Sequence, residues 1–376
     1  MASSHDSLVE SRPRELWADN LRVLVVAGVI VAHTATCYLM SFVDWYYDER
    51  TTSQLWSTLL SFPVIAAAMF GLGPLFLLGG WFAPQSLARR GPGGFARSRL
   101  LRLGVPLLAF MLLIQPLADY VGHLGPNQVR TSFAAALRTT EFSVMWFVVA
   151  LLVFSLVYAV LRWRRPAAQS RRPARPGLLL AAAALTIAVA SLAVWQVWPW
   201  NSSVFFTARF GEWPQGAVLF ALGVHAGETG WLRDLPPLLA RRLGWTALAG
   251  TIATVALFAM LAARDEVPAV VNAAAGWPTI LFALLDGVVA VSLSLWFICW
   301  VRRRLPGHGP LLGKAARGSY ATYLIHPLVL TTIMVLFAPV ALAPEIKFVL
   351  VAVAGVAACY MAGYALTRLP GIAKVL

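Results

Sequence analysis

Apolar runs long enough to cross hydrocarbon follow one another along nearly the whole chain. About ten can be read, at roughly 22–42, 56–83, 103–121, 144–163, 178–198, 214–227, 244–263, 278–301, 319–340 and 346–367. A span of about 30 Å takes close to 20 helical residues. The sixth run is the weakest, being short and holding Gly216, Gly223 and His225, while Pro63, Pro74, Pro106 and Pro116 predict kinks in the second and third. The pattern predicts an all-α, polytopic membrane protein: a bundle of about ten transmembrane helices. Composition agrees. Charged residues make up 12% of the 376, about half the ~25% of a soluble domain.

The formal net charge of +14 raises the question of a nucleic-acid partner. Its placement answers it. With both termini in the cytoplasm, 24 of the 30 basic residues fall on the inner side; Arg50, Arg130, Arg138, Arg209, Arg264 and Lys347 stay outside. That asymmetry is what insertion and anionic headgroups favour, so no nucleic acid is required. The division is a cytoplasmic N-terminal segment 1–20, a transmembrane domain 21–368 and a cytoplasmic tail 369–376. The first apolar run, flanked by Arg22, reads as a retained anchor helix. The stretch RWRRPAAQSRRPARPG is a basic, proline-rich linker, and the outer loops 119–143 and 199–213 are long enough to shape an outward mouth. Cys37, Cys299 and Cys359 lie in or beside apolar runs and show no pairing or metal-site spacing.

Few polar groups fall inside the spans, and each is a candidate. His33 ends the stretch RVLVVAGVIVAH. Eleven helical steps from Arg22 place it about 16 Å deeper, on nearly the same face. An ionisable group there is costly unless it meets a cavity or a partner. By itself this is as well explained by a histidine bonded to another helix as by chemistry. Arg99 and Arg102, in RRGPGGFARSRLLRLGVPLL between the second and third runs, share a face at i, i+3 and offer bidentate donors for phosphate. Taken alone, positive-inside anchoring with snorkelling side chains is the better explanation of them. Trp146 sits in an interfacial MWFV block. His326 precedes Pro327 in GSYATYLIHPLVL; the proline frees a backbone carbonyl and bends the helix. Asp286 is the one clearly embedded carboxylate, whereas Asp44, Asp119, Glu141 and Glu212 lie at outer helix ends, where any could orient an imidazole. His5, His123, His225 and His308 read as incidental. No metal-ligand spacing, phosphate loop or nucleophile elbow is present.

Taken in order, these blocks resemble the acyltransferase-3 family of membrane acyltransferases. DNLRVLVVAGVIVAH holds Asp19, Arg22 and His33 at the R-x10-H spacing, and PLFLLGGWFAPQSLARRGPGGFARSRLLRLGVPLL holds R-x-x-R at Arg99 and Arg102. MWFV, GAVLFALGVHAG and SYATYLIHPLVL are similar to further family blocks, so that the resemblance covers roughly residues 17–367. It implies a ten-helix enzyme that moves an acyl group, usually acetyl, from cytoplasmic acyl-CoA to a hydroxyl of a glycan, lipid-linked sugar or small molecule. His33 would be general base or transient acyl carrier, with Arg22, Arg99 and Arg102 holding CoA and no metal needed. Asp19, Trp146, Asp286 and His326 are supporting candidates. Many members carry an additional periplasmic esterase-like domain; none is expected in residues 1–376, which leaves acceptor choice to the helices and outer loops. The expected location is the inner or plasma membrane of a bacterial cell. The competing reading is a secondary transporter using His33, His326 and Asp286 as a proton or substrate site. An inert membrane receptor, with Arg22 and His33 structural, is the third.

Overall fold

The computed structural model describes residues 15–39, 45–67, 71–126, 128–164, 172–199, 207–307 and 309–371. Asp44, His5, His308, most of the N-terminal segment, the middle of the linker and the end of the tail lie outside them. Among the described residues there is no strand. The helices are α1 (Leu16–Tyr38), α2 (Gln54–Ala66), α3 (Gly73–Arg99), α4 (Val105–Ala109), α5 (Gln115–Gly122), α6 (Phe133–Arg138) and α7 (Trp146–Arg164). They continue as α8 (Pro176–Trp195), α9 (Trp213–Thr229), α10 (Pro237–Ala262), α11 (Val267–Val271), α12 (Trp277–Arg304), α13 (Pro310–Phe337) and α14 (Pro344–Leu366).

Among the described residues eight stretches are long and apolar enough to cross a membrane: 16–38, 73–122, 133–164, 176–195, 237–262, 277–304, 310–337 and 344–366. The expected second run, 56–83, divides into α2 and the start of α3. The expected sixth run forms α9, of 17 residues. The basic stretch between the second and third runs, read as a loop, is helical. α3 continues through it with a break at Gly91, whose φ of 67° and ψ of 167° lie outside helical space; glycine takes that conformation at little cost. Beyond Arg99 the chain alternates π-helical turns, Leu100–Gly104 and Phe110–Ile114, with the short α4 and α5. Pro106 and Pro116 sit in the first turns after the two wide segments. A proline cannot donate to the carbonyl four residues back and crowds it, which a wider turn accommodates.

α1 lies inside the bundle, packed against α2, α13 and α14 and touching α3 and α12. The other close pairs are α3 with α9, α13 with α14, and α12 with both α8 and α10. Basic helix ends gather at one end of the bundle. There Asn20 donates to the carbonyls of Leu305 and Gly307 at 2.9 Å each, satisfying groups left open past the end of α12. Arg233 reaches Glu15 at 2.7 Å, Arg302 lies over the rings of Trp17 and Trp81, and Arg162 pairs with Glu228. At the other end Lys347, buried, bonds Glu49 at 2.6 Å, and Thr51 donates to Glu345. The three cysteines are free and buried.

Candidate active site

His33 leaves α1 three turns from Arg22 and meets α13. Its Nδ1 lies 2.9 Å from Nε2 of His326, and the two rings are parallel within 3° at 5.1 Å between centroids. The opposite neighbour is the Trp45 indole, stacked at 4.4 Å. His326 is fully buried, and its Nδ1 lies 2.7 Å from the Tyr323 carbonyl. His33 is half-buried because it opens onto a cavity of about 220 Å³. Val29, Ala32, Val64 and Leu72 give the apolar part of its wall. Trp45, Glu141, Ser143, Trp146, Arg209, Glu212 and Tyr323 give the polar and aromatic part.

The segments supplying that polar wall are held in unusual backbone. Ser143, Thr207 and Arg209 all have positive φ, at 45°, 59° and 49°. They are three of the five such non-glycine residues among the described ones, and all three line this cavity. Left-handed backbone costs a side-chain-bearing residue of order 1–3 kcal/mol and gathers at functional sites. Side-chain bonds hold it: Tyr46 Oη to Ser143 Oγ at 2.9 Å, Thr207 Oγ1 to Glu141, and Arg209 to Glu212 at 3.4 Å.

The other candidates divide between this cavity and the basic end. Trp146 and His326 join His33. Asp286 does not; it receives the Gln215 amide at 3.3 Å, within the electrostatic reach of Glu212. Arg22 bonds Asp19 at 2.8 Å and lies away from the cavity lining. The cation that lines the cavity with His33 is Arg209, not Arg22. Arg99 has Arg102, Arg22 and Arg90 within electrostatic reach and stacks on Phe95 at 5.0 Å, so the R-x-x-R pair and Arg22 form one basic cluster. Among the described residues no group of three His, Cys, Asp or Glu side chains is arranged to hold a metal. The sequence reading missed Trp45 and Tyr323, and it counted Arg209 only as an outer-loop charge. The outer loops it read as a mouth do supply Glu141, Thr207, Arg209 and Glu212.

Glu212 stands just before α9, and burial pushes its carboxyl up to about 7 against the opposing Arg209 guanidinium. A carboxyl raised in the fold stabilises it as the neutral acid. That contribution is complete below the unfolded value near 4.5 and is lost as pH climbs through about 7. The thermal midpoint of detergent-solubilised protein therefore falls between about pH 5 and about pH 8, and falls less in Glu212→Gln. Parallel curves for the two proteins would count against this assignment.

Comparison with curated proteins and with solved structures returns no match. The profile of the acyltransferase-3 family, an acyltransferase domain, matches residues 15–367. The span takes in α1 with Arg22 and His33, the arginine cluster, the strained outer segments and α13 with His326, and the chain belongs to the acyltransferase-3 family.

Proposed function

We propose that this membrane acyltransferase transfers an acyl group, acetyl in the first instance, from cytoplasmic acyl-CoA to a hydroxyl acceptor, with His33 as general base. The observation that carries the reading is the His33–His326 pair opening onto a polar cavity in a chain that belongs to an acyltransferase family. Membership of that family speaks against the transporter reading.

The chemistry balances with the residues at hand. A neutral imidazole takes the hydroxyl proton as the oxygen attacks the thioester carbon, a role worth about 10²–10⁴-fold. The carbon–sulfur bond breaks, and the thiolate leaves with the proton from the imidazolium. The acceptor gains an ester, CoA leaves as the thiol, and His33 returns to neutral. A transient acyl-imidazole on His33 is the other route, with the same products. Glu141, Arg209 and Glu212 present hydrogen-bond partners to an acceptor that is a glycan, lipid-linked sugar or small molecule. Trp45 and Trp146 present flat faces.

The basic end takes the CoA phosphates. Planar guanidiniums suit phosphate, and Arg99, Arg102 and Arg22 already share one field. Asp19 holds Arg22 in place at 2.8 Å. The positive-inside pattern supports a cytoplasmic side for this end and for both termini, in a chain we assign to the inner or plasma membrane. The test is transfer of labelled acetyl from acetyl-CoA by purified protein in liposomes, against a panel of neutral sugars. Arg99→Gln and Arg102→Gln each weaken acetyl-CoA binding by about tenfold or more, as expected for loss of a charge-assisted bond of about 1.5–3 kcal/mol. An unchanged dissociation constant in the double variant would remove the clamp from this scheme.

A further inference from the structure

His326 and Pro327 are adjacent, and that adjacency has a chemical consequence at His33. In a helix the carbonyl of residue 323 normally accepts from the N–H of residue 327. Residue 327 is proline, which has no N–H to give. α13 nonetheless runs on through it, and the Tyr323 carbonyl takes its bond from His326 Nδ1 instead, at 2.7 Å. A carbonyl only accepts, so Nδ1 of His326 carries the proton. In a neutral imidazole the other nitrogen then offers a lone pair. That nitrogen is Nε2, and it faces His33 Nδ1 at 2.9 Å. His33 Nδ1 must be the donor, which leaves the lone pair of His33 on Nε2.

We infer that Pro327 is a positioning residue: by vacating the Tyr323 carbonyl it fixes the tautomer of His326, and through it that of His33, so that Nε2 of His33 is the basic nitrogen. The inference rests on the reading of His33 as general base. It adds which nitrogen takes the proton and why the histidine of α13 is followed by proline. When His33 accepts the acceptor's proton on Nε2, its Nδ1–H stays bonded to His326 Nε2, and neither ring has to turn. The arrangement has the logic of an orienting partner holding a catalytic imidazole in one tautomer, where the wrong tautomer is costly even when geometry survives.

The test reads the tautomers directly. Protein labelled with ¹⁵N-histidine, in liposomes, is studied by solid-state NMR, with His33→Gln and His326→Gln spectra picking out these two among the six histidines. Wild type is expected to show His326 protonated on Nδ1 and His33 protonated on Nδ1 with Nε2 bare. In Pro327→Ala the new N–H competes for the Tyr323 carbonyl. Alanine is the best helix former, so the helix is retained. Both rings should then show mixed tautomers, with kcat down about tenfold or more and KM for acetyl-CoA unchanged. His326→Gln keeps an acceptor oxygen near the place of Nε2 and should retain more activity than His326→Leu. His33 protonated on Nε2 in wild type would overturn the inference, as would wild-type tautomers and kcat in Pro327→Ala. The spectra need no turnover. The expected tautomers in a protein without transfer activity would overturn the acyltransferase reading, and with it the basic role of Nε2, while the effect of Pro327 on the two tautomers would stand.

Discussion

Replacing His33 with alanine is expected to lower acyl transfer by about 10²–10⁴-fold while acetyl-CoA still binds, because the role proposed for the lost group is proton acceptor and the proposed phosphate contacts lie toward the other end of α1. The side chain touches His326, Trp45 and the cavity but none of Arg22, Arg99 and Arg102. Its removal therefore leaves the clamp intact and appears in kcat. The measurement is steady-state transfer alongside equilibrium binding of acetyl-CoA to the same preparation. Full activity in His33→Ala would end the general-base assignment and the acyl-imidazole alternative together. A loss confined to binding would point to a structural histidine. The monodispersity of the variant in detergent separates a chemical defect from a folding one.

Gly223→Leu destabilises the protein by about 3 kcal/mol, the upper end of what overpacking usually costs. The reason is backbone contact between α3 and α9. A Cβ at Gly223 would lie 2.1 Å from the Leu77 carbonyl oxygen, one at Gly227 2.2 Å from that of Trp81, and one at Gly80 2.0 Å from that of Phe220. These are main-chain atoms, so no rotamer change relieves the overlap. Gly223 and Gly227 form the small-xxx-small spacing that lets membrane helices touch, where dispersion contacts replace the missing hydrophobic force. The expected observation is a lowered unfolding midpoint in detergent, with Gly223→Ala already below wild type. Activity should fall too, because the cavity is bounded by Leu72 just before α3 and by Arg209 and Glu212 just before α9. A wild-type midpoint in Gly223→Leu would show that these helices can part without cost.

Much of the scaffold could be read from the chain. Periodic apolar runs mark helices because the hydrocarbon thickness and the helical rise fix their length. The runs for α7, α8, α12 and α14 were read within a few residues of their ends, whereas α1, α10 and α13 begin roughly two turns or more before the apolar runs that marked them. Where the reading failed, hydropathy carries no signal. The stretch after Trp81 is basic and holds Pro84, Gly91 and Pro92, so it reads as a loop. Its helix persists because α3 packs against α7 and α9 and the break is confined to Gly91.

The site was half visible. His33 and His326 stood out, since an imidazole in an apolar run demands a partner. Trp146 was found through its block. Arg209 and Trp45 were not, because a charged or aromatic residue in an outer loop is ordinary until the loop folds inward.

What the sequence alone determined is local: the helices, the basic end of the bundle, and a histidine three turns along one face from an arginine. Each follows from neighbours a few residues apart. Only the tertiary structure decided that His33 meets His326, 293 residues away, that Arg209 rather than Arg22 is the cation lining the cavity beside it, and that segments of left-handed backbone supply part of that cavity's wall. Those choices depend on which helix faces pack together, which glycine-scale contacts between backbones settle and hydropathy does not encode.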